Sequence, residues 1–553
     1  VWRRVAVIAL SVATLAALPS ARGAAWAADG DKPAGLPHLE RRPDGSSRLV
    51  VDGKPFLILG GELGNSSGGD LPGLGPVWAR LGAMHLNTVL VPVSWEQIEP
   101  DEGKFDFRFL RGVLDEARRH QLRVVLLWFG SWKNGMSSYV PGWVKTNVAR
   151  FPRAHDKSGA PVEALSAFGE ESRAADTRAF VALMKEVRRL DEQRHTVLMV
   201  QVENEVAIIG DAADRGSEAM RALAGAVPAE LIQTVKKLDP STPLGRAWKT
   251  NGARAAGTWQ EVFGKDDAAR EVFAAWSLAR YTGAVAAAGK AVYPLPMFVN
   301  AALYRPGAKP GEYPSGGPLP HLTAVWRLAA PAVDVLAPDI YLPNFGEWCD
   351  RFARDGSPLF VPEMKNGPDA AANLLYAFGA YGALGTSPFA IDTIEAASGT
   401  AVGDAYRLVA ELTPALLAAS ATPGARGGVL LDSATQRRDV AVGKYVLHFA
   451  HDRTWEWSPD AKAPGIWPHA SAIVVATGPD ELVIAGTAVI VTFDVPKGAP
   501  PARVGLLSVE AGHFAGGRWI AGRALNGDET HQGRHVRLPP GAFTAQRVRL
   551  YRY

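Results

Sequence analysis

Between about Lys54 and Ala419, short apolar, β-branched runs alternate with stretches in which apolar residues recur at helical spacing. That alternation leaves few folds open, because neighbouring parallel strands need a long connection and a helix is the connection that buries its own apolar face against the sheet. The runs number about eight: Phe56 to Gly60, Asn87 to Val93, Val124 to Trp128, Thr196 to Val202, Met297 to Asn300, Val333 to Leu336, Leu359 to Val361 and Phe389 to Ile391. Phe107, Leu110, Val113, Leu114 and Ala117 follow helical periodicity between the second and third runs, as do Phe180, Leu183, Met184, Val187 and Leu190 before the fourth. The reading is an α/β chain with a (β/α)8 barrel. Eight units need roughly 250 residues, so the surplus is expected in long loops, chiefly Phe129 to about Glu171 and Val206 to about Leu295.

After Pro423 the texture changes to glycine-punctuated alternating runs such as Tyr445-Val446-Leu447-His448-Phe449, which predict a smaller all-β domain. This domain could bind glycan, mediate an oligomer or buttress the barrel. At the other end, Arg3 and Arg4 precede an apolar run from Val5 to Leu18, and Ala25-Trp26-Ala27 supplies small residues of the kind a signal peptidase reads. The run is shorter than the roughly 20 residues of a spanning helix. The expected organisation is a signal peptide over 1–27, a catalytic barrel over 38–420 and the all-β domain over 421–553. The product is expected to be exported, periplasmic or extracellular, with no membrane role beyond export. A net charge of +3, with both signs mixed along the chain, gives no reason to invoke nucleic acid. The single cysteine, Cys349, excludes internal disulfides.

Functional groups in a parallel barrel gather at the C-terminal ends of the strands. Two glutamates satisfy that rule. Met199-Val200-Gln201-Val202-Glu203-Asn204-Glu205 is an apolar strand ending in a polar cluster, and Phe360-Val361-Pro362-Glu363-Met364 repeats the pattern three strands later. Two carboxyls facing each other across a barrel mouth are what acetal hydrolysis needs: one protonates the leaving oxygen while the other attacks or stabilises the cationic centre. Their different pKa values can come from burial and mutual repulsion. Taken singly, either glutamate could equally cap the helix after its strand or pair with an arginine. Glu203, two residues before Glu205, is expected to support the barrel interior or orient a neighbour.

Gln201-Val202-Glu203-Asn204-Glu205 resembles the Q-x-E-N-E strand-four motif of family 35 glycoside hydrolases, the β-galactosidase family within the clan of (β/α)8 retaining enzymes. Trp95 to Pro100 with Gly103-Lys104-Phe105-Asp106-Phe107 is similar to that family's segment after strand two, and Gly517 to Glu529 resembles a C-terminal domain of unassigned function found in a bacterial subgroup. The resemblance implies Glu205 as general acid/base, Glu363 as nucleophile, Asn204 as ligand of the sugar 2-hydroxyl and Tyr341 as the tyrosine that hydrogen-bonds the nucleophile. It implies a retaining exo-β-galactosidase acting on terminal galactosyl residues of oligosaccharides or polysaccharide side chains, without metal or other cofactor. Gly60-Gly61-Glu62-Leu63-Gly64-Asn65-Ser66 departs from the family, where a histidine and tyrosine are common. The alternatives are therefore a β-glucoside, β-xyloside or β-mannoside specificity, or a catalytically silent carbohydrate-binding protein.

Several further residues are candidates for the carbohydrate. Trp128, Trp132, Tyr139 and Trp143 could cover the CH faces of sugar rings or pack under a loop, with Trp128 the favoured stacking residue. Lys133 and Asn134 could bond hydroxyls or be structural. Glu62 is a candidate hydroxyl acceptor, whereas Glu99, before Pro100, is expected to hold a turn. No histidine pair has metal-ligand spacing.

Overall fold

The computed structural model describes residues 35–354, 357–395, 400–461, 465, 467–500, 503–525 and 527–553. Residues 1–27, where a signal peptide is expected, lie outside the described residues. Eight parallel strands close into a barrel: β1 (Ile58–Glu62), β2 (Thr88–Ser94), β3 (Arg123–Lys133), β4 (Val197–Asn204), β5 (Met297–Ala302), β6 (Val335–Ile340), β7 (Phe360–Met364) and β8 (Gly385–Pro388). Each pairs with the next, and β8 returns to β1 through Gly385 opposite Ile58. Around them run α1 (Leu71–Ala83), α2 (Arg108–Arg119), α3 (Glu170–Asp191), α4 (Asp267–Val292), α5 (Thr323–Ala329), α6 (Phe345–Phe352), α7 (Ala370–Tyr376) and α8 (Ala401–Ala419). Among the described residues no helix is long and apolar enough to cross a membrane.

Helix α2 illustrates how the pattern becomes structure. Leu110, Val113, Leu114 and Ala117 recur every three or four residues and are all buried, while Arg118 and Arg119 lie in the last turn, where positive charge suits the exposed carbonyls. Arg118 also reaches across to Asp191 at the end of α3, at 2.8 Å, tying two barrel helices together. The long loop after β4 carries four short helices, Ser217–Leu223, Ala229–Val235, Pro243–Thr250 and Trp259–Phe263, before α4 begins on its Asp266 cap.

Two aspects differ from expectation. The eighth strand is Gly385–Pro388, and the apolar run Phe389 to Ile391 lies just beyond it. Gly385 is needed there for close approach, since a Cβ would come within 2.4 Å of the Ile58 Cβ. Thr386 and Ser387 are buried without adding an apolar signal. The second is the barrel floor. An antiparallel sheet of His38–Arg41, Ser47–Val51 and Lys54–Phe56 precedes β1, and its Leu49 and Val51 join the inward-facing Ile58, Leu90, Val125, Leu127, Phe129, Phe298 and Phe360 in one core.

The C-terminal strands are β9 (Arg426–Leu431), β10 (Arg437–Val442), β11 (Tyr445–His451), β12 (Ala470–Gly478), β13 (Glu481–Thr487), β14 (Val489–Asp494), β15 (Val504–Ala515), β16 (Arg518–Ala524), β17 (Val536–Leu538) and β18 (Thr544–Arg552). They form a six-stranded sheet, β9-β12-β13-β18-β15-β16, and a four-stranded sheet, β10-β11-β14-β17. Alternation gives the six-stranded sheet two apolar faces. Val474 and Ile484 look into the all-β core, whereas Ile473, Val475, Val483, Ala485 and Ala545 belong to the outer core of the barrel with α7 and α8. Each valine or isoleucine among them contributes on the order of 1.5–3 kcal/mol when fully buried, so the sheet supports that side of the barrel.

Candidate active site

The end of β3 decides where the groups of β4 point. Trp128 is opposite Val202, but the next pair is Lys133 opposite Asn204, so β3 spends five residues where β4 spends two. The extra residues, Phe129 to Trp132, fold around buried carboxyls. Gly130 makes this possible, because a Cβ there would lie 2.4 Å from Trp128 Nε1 and 2.8 Å from carboxylate oxygens of both Asp176 and Glu203. On β4 the alternation breaks in the same place: Glu203 and Glu205 both have left-handed backbones, φ 61° and 45°, a conformation that costs energy for a residue with a Cβ.

The kink separates the two glutamates. Glu203, fully buried, turns outward into the layer beneath α3, where its carboxyl accepts the Trp132 N–H at 2.8 Å. It does not enter the barrel interior. Burial and the neighbouring Asp176 carboxylate hold it well above the ordinary carboxyl range. Asp176, on α3, accepts Trp128 Nε1 at 2.9 Å and Ser131 Oγ at 2.7 Å. Trp128 therefore cannot be the sugar platform. On β3 it is Val125, Leu127 and Phe129 that face the barrel interior, and the even-numbered Trp128 faces α3, fully buried with its ring 5.7 Å from Phe180. Trp132, edge-on to Tyr281 at 4.6 Å, and Trp143, edge-on to Trp95 at 5.8 Å, are likewise packing residues. Glu99 accepts Trp95 Nε1 and the Gly103 N–H, at 2.9 and 2.7 Å, and so closes the turn after β2.

Glu205, by contrast, joins a cluster at the C-terminal mouth of the barrel. Its N–H is held by Asn300 Oδ1 at 2.9 Å, and Asn134 Nδ2 donates to its Oε2. Glu363, at the end of β7, accepts the Tyr341 hydroxyl on Oε1, and Tyr341 is 42% exposed at the rim. Glu62 from β1 and Asp339 from β6, opposite Glu363 in register, complete four buried carboxyls around the buried Lys133. Glu62 Oε1, Glu363 Oε2 and both amide atoms of Asn204 are buried without a hydrogen-bond partner among the described residues. Buried polar atoms are normally paired. A set of them at one mouth is a surface suited to a polyhydroxylated ligand.

The electrostatics are asymmetric. Burial, then the Glu363 charge, pushes the Glu205 carboxyl up to about 7, opposed by Lys133 and by a hydrogen bond with Asp339. Burial also raises Glu363, but Lys133 and the Tyr341 hydroxyl both favour its charged form. Glu62 and Asp339 are held well above the ordinary range by burial, with the Glu363 charge next in size for both. The arrangement can therefore keep a proton on Glu205 while Glu363 is ionised. Sequence reasoning named Glu62, Lys133, Asn134, Asn204, Glu205, Tyr341 and Glu363, which meet here, but missed Asp339 and Asn300. Their position at the ends of β6 and β5 was the available signal.

The glycoside hydrolase family 42 model described as "Beta-galactosidase" matches residues 78–223, a stretch that holds Lys133, Asn134, Asn204 and Glu205. The matched model is that of family 42 and not of family 35, which Gln201 to Glu205 resembles; the two agree at the coarser level of a β-galactosidase-like barrel. A domain of unknown function, DUF5597, matches residues 402–537, from α8 into the all-β domain. No curated protein sequence matches the chain. Similar solved structures include the β-galactosidase of Bacillus circulans sp. alkalophilus, with 13% identity over 64% of this chain and 56% of that one, and a TM-score of 0.43. The β-galactosidase of the psychrophilic Marinomonas ef1 has 14% identity over 65% and 60%, with a TM-score of 0.43. The catalytic domain of the Paenibacillus polymyxa β-amylase has 12% identity over 64% and 99%, with a TM-score of 0.45. The chain spans less than two thirds of the length of these two β-galactosidases. The β-galactosidase model lies on the segment of the barrel that carries Glu205.

Proposed function

We propose that the protein is a retaining exo-β-galactosidase in which Glu363 is the nucleophile and Glu205 the general acid/base. The observation that carries this reading is the asymmetry of the pair. Glu205 keeps its proton up to about pH 7, whereas Lys133 and Tyr341 favour an ionised Glu363. Glu363 would attack the anomeric carbon as Glu205 protonates the leaving oxygen; water, deprotonated by Glu205, would then release the sugar from the glycosyl ester. Asn204, Glu62 and Lys133 would bind hydroxyls, and Asn134 would orient Glu205. Export directed by residues 1–27 belongs to the same proposal, and mass spectrometry of the mature N-terminus tests it.

The deciding experiment is hydrolysis of nitrophenyl β-galactoside, β-glucoside, β-xyloside and β-mannoside by the purified protein, with Glu363→Ala as control. Dominant galactosidase activity that vanishes in the control supports the proposal. A different preferred sugar keeps the mechanism and removes the galactose specificity, and no turnover of any glycoside refutes the enzyme reading. Glu205→Ala should spare substrates with very acidic leaving groups, since these need little protonation.

A further inference from the structure

Asp339 takes no part in the chemistry just described, yet it is 2% exposed and sits among the reacting groups. It lies on β6, in register with Glu363 on β7. Its Oδ2 accepts Asn300 Nδ2 at 2.6 Å, and the same amide's Oδ1 accepts the Glu205 N–H at 2.9 Å. One rigid side chain thus links β6 to the kinked end of β4, where Glu205 is held in a left-handed conformation. The Asp339 carboxyl also faces that of Glu205, whose charge acts on it.

We propose that Asp339 and Asn300 are positioning residues for Glu205: Asn300 clamps its backbone, and Asp339 stays protonated, holding Asn300 and donating a hydrogen bond to the Glu205 carboxyl. The charged and titratable groups facing Asp339 are Glu363, Glu205, Glu62 and Lys133, with the Tyr341 hydroxyl beside them. Three carboxyls against one ammonium, in a buried setting, favour the neutral acid. During glycosylation the Glu205 proton leaves with the aglycone oxygen, whereas the Asp339 proton is not consumed. It stabilises the Glu205 carboxylate that forms. The inference rests on Glu205 being the acid/base.

Two measurements on the full chain test it. In kcat/KM profiles, Asp339→Leu removes a hydrogen bond to the charged form of Glu205, so the basic limb should move up by about one pH unit. Asp339→Asn, whose amide can accept from Asn300 and donate to Glu205, should restore the limb. Asn300→Ala should lower kcat about tenfold with KM unchanged, because the clamp positions the acid and binds no substrate. An unmoved limb in a folded Asp339→Leu protein overturns the donor role. Independently of turnover, infrared difference spectra at pH 7 between wild type and Asp339→Asn should show the C=O stretch of a protonated carboxyl lost in the variant. Absence of that band means Asp339 is ionised and overturns the proposal, even if Asp339→Leu fails to fold. If wild type hydrolyses no glycoside, the enzyme reading fails while the band still reports the Asp339 proton.

Discussion

Replacing Glu205 by Gln should make the protein more stable at alkaline pH, an effect that follows from the environment meant to keep this group protonated. Folding raises its carboxyl from an ordinary 4.5 to about 7, and each pH unit between the two values corresponds to about 1.4 kcal/mol. Above pH 7 the folded state must hold a carboxylate that the unfolded chain solvates freely, at a cost of about 3 kcal/mol. The sign follows from proton binding: the folded state binds this proton more tightly, so its contribution is fully present below pH 4.5 and is lost as the pH rises through 7. An amide of the same shape has no such titration. With an unfolding entropy of about 2 cal/mol/K per residue over roughly 500 residues, the cost corresponds to ~3 °C. Thermal unfolding of wild type and Glu205→Gln should therefore coincide near pH 4.5 and diverge by ~3 °C at pH 8, the variant melting higher. A difference that does not vary with pH would refute the assignment of a buried, proton-retaining carboxyl.

The basic limb of kcat/KM should fall near pH 7, because turnover stops when Glu205 loses its proton, and pH-rate profiles on the preferred glycoside will show it. Tyr341→Phe removes the donor that stabilises ionised Glu363; the acidic limb should move up and kcat/KM fall about 10- to 100-fold, the value of a hydrogen bond to a charge. Lys133→Met takes away the cation that favours the charged forms of Glu62, Glu205, Asp339 and Glu363, so activity should drop at least tenfold and the basic limb should shift upward. Trp128→Phe, which leaves Asp176 short of a buried donor, should lower stability by about 2 kcal/mol in denaturant titrations and leave KM unchanged.

Much of the fold was legible in the sequence, because burial on both faces of a parallel strand writes an apolar run and burial on one face of a helix writes a stripe. Seven of the eight expected strands overlap observed ones. The eighth was displaced onto Phe389 to Ile391, since Gly385-Thr386-Ser387-Pro388 closes the barrel by close approach and leaves no hydrophobic trace. The floor formed by Leu49 and Val51 was illegible for another reason: which sheet plugs a barrel end depends on contacts between distant segments.

The sequence by itself determined the alternation that forces a parallel barrel, the all-β texture after Pro423, and the carboxyls at the ends of the fourth and seventh strands. It also presented Glu203 and Glu205 as neighbours on one strand, with Trp128 as an aromatic near them. Only the tertiary structure decided which of these face the mouth. Gly130 lets β3 fold around Asp176 and Glu203, and the left-handed turn at Glu203 sends one glutamate beneath α3 and the next into the site. Asp339 and Asn300 entered the site in the same way, through the register of β5 and β6 against their neighbours. Orientation at a strand's end depends on backbone torsions and on what packs behind them, and period-two counting along one strand contains neither.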